Sequence, residues 1–195
     1  FKLSKYQDWL IEYIKSRPNF IKPDSRKNEV MSFLENNKLS DLCISRPKER
    51  LSWGITTPFS SDSVTYVWFD ALVNYISTLG WPKDKENFEK FWKNGTPVQY
   101  CGKDNLRQQS AMWQAMLMSA GLSPSQQVFI HGFITSGGQK MSKTTGNVVD
   151  PFSLVKEFGT DPVRYYFLRE LPSYSDGDYS HERSVQVYNA DLAHG

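Results

Sequence analysis

Pro97-Val98-Gln99-Tyr100-Cys101-Gly102-Lys103-Asp104 opens the stretch that decides the fold, and Gln127-Val128-Phe129-Ile130-His131-Gly132 closes it. Each begins as a short run with β-branched and aromatic residues, the composition of a strand. Between them, Asp104 to Ala120 reads as one long helix. Strands alternating with helices of ten or more residues imply a parallel sheet with helical crossovers.

Toward the N-terminus the same alternation continues. Val64-Thr65-Tyr66-Val67-Trp68-Phe69 is apolar on both sides and suits another buried parallel strand, followed by a helix from about Ala71 to Leu79. Lys83 to Lys93 reads as a charged helix with Phe88, Phe91 and Trp92 on one side. Further back, Leu3, Tyr6, Trp9, Leu10, Tyr13 and Ile14 mark an amphipathic helix that Arg17-Pro18-Asn19 ends. A second helix is expected from Asp24 or Ser25, with Val30, Met31, Phe33 and Leu34 inward. Residues 40–63 lack a period and read as connection. Beyond residue 150 only helices are expected. Asp150-Pro151 and Asp161-Pro162 each pair a capping residue with a first-turn proline, and His181, Val185, Tyr188 and Leu192 mark a last helix. The fold class is therefore α/β: half of a doubly wound, Rossmann-type parallel sheet followed by an all-helical segment. Its parts are residues 1–63 (linker helices and connection), 64–150 (the sheet half) and 151–195 (the helical segment).

Composition narrows the class of protein. With 39% hydrophobic and 23% charged residues in 195, the chain has the balance of a soluble globular protein. No run approaches the roughly 20 apolar residues that span a bilayer, so no membrane partner is expected. A net charge of +2 gives no warrant by itself for nucleic-acid binding. Cys43 and Cys101 read as small buried hydrophobes in a reducing compartment. His131, His181 and His194 are scattered, and no Cys-x-x-Cys occurs, so no structural metal is expected. The chain begins at Phe1 without a methionine and stops in or just after a helix, which reads as a piece cut from something longer.

In an open parallel sheet, ligands bind beyond the carboxyl ends of the strands. That rule selects Asp70-Ala71, Gly102-Lys103-Asp104, and His131-Gly132 with the loop after it. The loop Ser136-Gly137-Gly138-Gln139-Lys140-Met141-Ser142-Lys143-Thr144-Thr145-Gly146 combines three glycines, two lysines three apart and four hydroxyl residues. Such a loop can clamp phosphate: glycines as hinges, ammonium groups to neutralise charge, hydroxyls as further donors. A solvated lysine loop is the alternative on these residues alone. It is not a P-loop, since no Gly-Lys-[Ser/Thr] opens a helix.

Lys140-Met141-Ser142-Lys143-Thr144 resembles the KMSKS signature of class I aminoacyl-tRNA synthetases, with threonine for the final serine. Its setting strengthens the likeness. It follows a strand ending in His131-Gly132, continues as Gly146-Asn147-Val148-Val149-Asp150-Pro151, and precedes Gly159-Thr160-Asp161 and Val163-Arg164-Tyr165-Tyr166. Tyr66-Val67-Trp68-Phe69-Asp70-Ala71, Gly102-Lys103-Asp104 and Asp176-Gly177-Asp178-Tyr179-Ser180-His181 resemble the methionyl branch in content and order. The likeness covers essentially the whole chain, as the C-terminal half of that family's catalytic domain.

The resemblance implies a ligase that activates methionine with ATP, taken with Mg2+ as substrate, and passes it to tRNA. Lys143 would stabilise the departing pyrophosphate, with Lys140 assisting and Gly137, Gly138 and Gly146 letting the loop close. The loop would be mobile without nucleotide. His131 and Gly132, with Gly102, Met141 and Ser142, would lie on the ATP side. Asp104 would bind the amino group of methionine, and Trp68, Ala71, Tyr75 and Trp113 its side chain. An aromatic pocket suits a polarisable thioether. The alternatives on the residues alone are core packing for Trp68 and Trp113 and helix capping for Asp104. The chain departs from many relatives at Gln108-Gln109, Asn105 and Leu72. It also lacks the family's HIGH motif, which belongs to the missing N-terminal half, and the chain alone is expected to be inactive. A cytoplasmic location is expected, an organellar form being left open. The rival functions are another class I synthetase and a non-catalytic binding module that keeps the fold.

Overall fold

In the computed structural model, which describes residues 1–194, the opening periodicity becomes a 3-10 turn at Leu3–Tyr6 and helix α1 (Gln7–Lys15). Leu3, Leu10 and Ile14 are its buried positions. A short strand that no periodicity announced, β1 (Ile21–Lys22), precedes α2 (Asp24–Asn36), which buries Val30 and Leu34. Asp24 is the first residue of α2 and not its cap; Pro23 holds that position without a side-chain bond.

Residues 40–63 are not plain connection. They carry β2 (Ser45–Pro47), β3 (Thr56–Thr57) and most of β4 (Ser60–Thr65), an antiparallel sheet in the order β2-β4-β3. The parallel strand expected over Val64 to Phe69 is therefore corrected. The strand stops at Thr65, and helix α3 (Val67–Ala71) begins after Tyr66. The apolar run misled because its side chains are not equally enclosed: Val64 is fully buried, but Val67 is 64% exposed. The Phe69 and Asp70 amides donate back to the Tyr66 carbonyl, which closes a helical turn. The helix expected over Ala71 to Leu79 is likewise split, α4 (Asn74–Ser77) following α3. Next comes α5 (Lys85–Phe88), capped by Asp84 accepting from the Asn87 amide at 3.0 Å, and running into a π turn at Glu89–Lys93.

The deciding stretch is as read. β5 (Val98–Gly102) and β6 (Gln127–His131) join β1 in a sheet of order β1-β6-β5, with β1 and β6 parallel and Ile21 opposite Val128. Between β5 and β6 lie a 3-10 turn (Lys103–Asn105), a π turn (Gln108–Met112) and α6 (Trp113–Ser119). Residues 109–117 are buried without a break. A helical segment enclosed on all sides must satisfy its own polar groups. Ser110 Oγ donates to the Leu106 carbonyl at 2.6 Å, and Gln114 donates to the Gln109 carbonyl and accepts from the Ser125 amide. Around this segment Leu72, Ile76, Phe88, Trp92, Met112, Trp113, Met116 and Leu117 form one apolar cluster. Cys101 is buried as expected, but Cys43 is exposed, its thiol donating to the Ser45 carbonyl at 3.3 Å.

The chain divides into two units, Phe1–Phe129 and Ile130 onward. The second contains β7 (Ile134–Ser136), β8 (Gln139–Lys140), α7 (Pro151–Phe158), α8 (Thr160–Glu170), β9 (Gly177–Tyr179) and α9 (His181–Val187), with a π segment at Tyr188–Ala193. Its sheet has the order β8-β7-β9, with β7 antiparallel to β8 and parallel to β9. So the segment beyond residue 150 is not purely helical: β9 interrupts it. Asp150 caps α7 as its dipeptide suggested, accepting from the Phe152 and Ser153 amides. Asp161-Pro162 does not do the same; Gly159 holds the cap of α8 at φ +88°, and Asp161 lies in the first turn. The last helix buries Ser184 and Val187, leaving Val185 and Leu192 largely exposed.

Candidate active site

In the second unit, β6 ends at His131, whose Nδ1 lies 2.7 Å from the Gly132 carbonyl. Gly132 has no room for a side chain. A Cβ there would stand 2.1 Å from the carbonyl carbon of Ser175 and 2.4 Å from the Asp176 nitrogen. That approach lets the Phe133 amide donate to the Asp176 carboxylate at 2.9 Å and its carbonyl accept from the Gly177 amide at 3.0 Å, which starts the β7–β9 pairing. Gly132→Ala is accordingly expected to destabilise the chain by about 1–3 kcal/mol, since the obstacle is backbone and not a flexible side chain. Urea denaturation measures this, and an unchanged midpoint would mean that the 175–176 backbone yields freely.

Gly137 and Gly138, read above as hinges, form the two-residue turn of the β7–β8 hairpin, with φ of +63° and +72°. Positive φ at both central positions defines the type I′ turn, which matches the twist of paired strands. Asp178, opposite Thr135 on β9, accepts from the Thr135 hydroxyl at 2.7 Å and from the Gly138 amide at 2.8 Å. The Thr135 hydroxyl first, then the Gly138 and Gly137 amides, hold its carboxyl below the usual carboxylate range.

The hairpin delivers Lys140 at the end of β8, exposed, with Nζ 4.3 Å from the centre of the Phe133 ring. Such a cation–π contact gives a flexible ammonium a preferred position. Met141 turns inward against the cluster of Leu154, Tyr166, Tyr179 and Val187. Ser142 is half-buried; Lys143 is exposed, and among the described residues nothing binds its ammonium. The Gly146 amide returns to the Ser142 carbonyl at 3.1 Å, and Asn147 then bonds to both the loop and the hairpin. Asp150 begins α7, its carboxyl lowered chiefly by the Ser153 hydroxyl and then by the Phe152 amide. His131, Gly132, Lys140, Met141, Ser142 and Lys143 thus all lie in one unit, with two exposed ammonium groups flanking a half-buried methionine.

The other expected residues, Gly102, Asp104, Trp68, Ala71, Tyr75 and Trp113, belong to the first unit. Gly102 ends β5, and Asp104 sits exposed on the following 3-10 turn, which no side chain caps. The capping alternative for Asp104 is therefore not realised. Its charge is felt at Cys101, whose thiol burial, and secondarily Asp104, pushes up to about 12. Trp68 and Ala71 share a face of α3 at a spacing of three, both half-buried. Tyr75 and Trp113 meet with ring centroids 5.9 Å apart, and the Tyr75 hydroxyl accepts from Gln109 Nε2 at 2.8 Å. Trp113 is 1% exposed and stands edge-on to Trp92, so it is a core residue whatever else it does. It also lines an apolar cleft of about 310 Å³ with Phe69, Val73, Ile76 and Trp81. Trp68, Ala71 and Tyr75 do not line that cleft.

Sequence reading passed over Asn147, Asp178 and Gln109 as structural actors. The Gly137-Gly138 pair between two short polar-apolar runs was the available signal for the hairpin. Nothing local signals a bond to Asp178, some forty residues away. Among the described residues no cluster of three or more His, Cys, Asp or Glu side chains could hold a metal ion, and no helix is long and apolar enough to cross a membrane.

Comparison with known proteins adds an independent line. The family model for class I tRNA synthetases (M) matches residues 1–195. The methionine–tRNA ligase of Clostridium tetani is 50% identical over 194 residues, covering 99% of this chain and 30% of the relative. That of Mesorhizobium japonicum is 47% identical over 195 residues, covering 100% of this chain and 37% of the relative. The solved structure of Mycobacterium tuberculosis methionyl-tRNA synthetase in complex with methionyl-adenylate superposes with a TM-score of 0.92 at 44% identity, over 100% of this chain and 37% of that one. The chain spans about a third of the length of the relatives it matches.

Proposed function

This chain belongs to the class I tRNA synthetase (M) family, and we propose that it is part of a methionine–tRNA ligase. The observation that carries this reading is the lysine loop. Lys140-Met141-Ser142-Lys143-Thr144 stands on a hairpin after β6 with both ammonium groups exposed and Met141 anchored inward. In the proposed reaction a carboxylate oxygen of methionine attacks the α-phosphorus of ATP, which enters with Mg2+. The bond from that phosphorus to the bridging oxygen breaks, and pyrophosphate leaves with the electron pair. Negative charge grows on the leaving group, and positive groups held ready there stabilise the transition state more than the ground state. Lys143 has that role, with Lys140 assisting, and His131, Gly132, Gly102, Met141 and Ser142 serve the nucleotide. Asp104 neutralises the α-ammonium of methionine, and Trp68, Ala71, Tyr75 and Trp113 enclose its thioether. The methionyl group is then passed from the adenylate to a hydroxyl of tRNA: the ester bond forms as the carboxyl–phosphate anhydride bond breaks, and AMP leaves.

In this reading the enzyme is completed by residues outside this chain, which spans about a third of its relatives' length. The test is ATP–pyrophosphate exchange by an intact protein carrying this chain, assayed against a panel of amino acids. Exchange driven by methionine is expected. Exchange driven by another amino acid would favour a different class I specificity, and none at all would favour a binding module. The 195-residue chain alone is expected to give no exchange.

A further inference from the structure

We propose that Asn147 is a positioning residue for the lysine loop, holding Lys140 and Lys143 in place by tying the loop to the hairpin before nucleotide arrives. The proposal rests on the ligase reading for its kinetic part only. Asn147 uses both ends of its side-chain amide. Its Oδ1 accepts from the Ser142 amide at 2.9 Å and from the Thr145 hydroxyl at 2.6 Å, one residue to either side of the Lys143-Thr144 pair. Its Nδ2 faces the carbonyls of Ser136 at 3.3 Å, Lys140 at 3.3 Å and Gln139 at 3.5 Å, so its two hydrogens are shared over three acceptors on the hairpin. A side-chain amide offers two donors and two acceptor lone pairs, and here every one has a partner.

The geometry also says why the other short polar residues do not substitute. Aspartate would keep the bonds to Ser142 and Thr145 but offer no donor to the hairpin carbonyls. Serine and alanine would lose one side or both. The hairpin to which Asn147 ties the loop is itself fixed at its turn, where Asp178 on β9 accepts from the Gly138 amide. A set of hydrogen bonds therefore runs from β9 through the Gly137-Gly138 turn and Asn147 to the Ser142 amide and the Thr145 hydroxyl, which flank the Lys143-Thr144 pair. Lys143 itself touches none of it, so its ammonium remains available while the residues flanking the Lys143-Thr144 pair are held. This tie runs against the mobility expected of the loop from its sequence, and fixing the Ser142 end in advance removes an ordering cost from the reacting complex, the general basis of preorganised catalysis.

Two measurements test this. In the 195-residue chain, amide hydrogen exchange at Ser142 reads the tie directly. Asn147→Ala is expected to speed exchange there by about tenfold or more, with the Leu154 amide of α7 unchanged, and Asn147→Asp to retain most of the protection. Equal exchange in all three proteins would overturn the proposal, as would loss of protection at Leu154 and Ser142 together, which marks general unfolding. In an intact protein that shows methionine-dependent exchange, Asn147→Ala is expected to lower kcat by about 10–100-fold with little change in the KM for methionine. In a Lys143→Ala background the same substitution should add little, because it acts through that lysine. An equal loss in both backgrounds would overturn the positioning role. Absence of exchange in the unsubstituted protein would instead fail the ligase reading, and the Ser142 measurement would still decide the tie.

Discussion

Trp113→Ala is expected to destabilise the chain by about 3–5 kcal/mol, the range for truncating a large buried aromatic. Trp113 is 1% exposed, and its ring meets Trp92 at 6.1 Å edge-on and Tyr75 at 5.9 Å. Neighbours on an enclosed helical segment cannot collapse into the space that such a truncation leaves, because their own polar groups are already committed. Gln114 bridges to Ser125, and Trp92 Nε1 donates to the Ser123 carbonyl at 2.9 Å. Against the 5–15 kcal/mol that a domain commonly has, the loss is close to unfolding. Trp113→Phe should cost clearly less. The buried Nε1 of Trp113 has no hydrogen-bond partner among the described residues, so removing it also removes a desolvated, unpaired donor. Chemical denaturation of the two variants measures both effects. Equal losses would mean that the phenyl ring restores none of the packing that alanine gives up, and a loss under about 1 kcal/mol for alanine would show that the site repacks. The stability effect holds whether or not Trp113 also faces methionine, which only the KM for methionine of an intact protein can report.

What was legible in the sequence followed the periods that local sequence carries. The α1 stripe, β5, the buried helical segment and β6 are all where apolar spacing put them, because each buries its own side chains. The misreadings share a cause. The largely apolar run from Val64 to Phe69 suggests enclosure on both faces, yet Val67 is exposed and the chain turns helical at that residue. β1 and β9 are two and three residues long and exist only through partners far along the chain, Val128 for Ile21 and Thr135 for Asp178. A pairing of that kind leaves no local period to read. The site divides in the same way. The lysine loop was visible as a motif, and the glycines in it as flexible points. Their actual work as a hairpin turn, and the hold that Asn147 and Asp178 have on it, come from bonds that residue type alone does not announce.

Lys143→Ala should separate catalysis from stability more cleanly than any other substitution. Lys143 is exposed and nothing among the described residues binds its ammonium, so its removal should shift stability by no more than about 0.5 kcal/mol. Its proposed role arises only as pyrophosphate departs. Loss of one preorganised charge-stabilising group commonly lowers kcat by about 10²–10³-fold, and that is the fall expected in the rate of methionine-dependent exchange. The KM for methionine should change little, because an interaction made mainly in the transition state appears in kcat and kcat/KM together. Lys140→Ala is expected to have the smaller effect, its ammonium being partly committed to the Phe133 ring. Rapid-quench measurement of adenylate formation, alongside denaturation of each variant, gives the comparison. A Lys143→Ala protein that forms adenylate at the unsubstituted rate would assign the charge stabilisation elsewhere. One that loses stability along with activity would make the lysine a structural residue, which its exposure and freedom argue against.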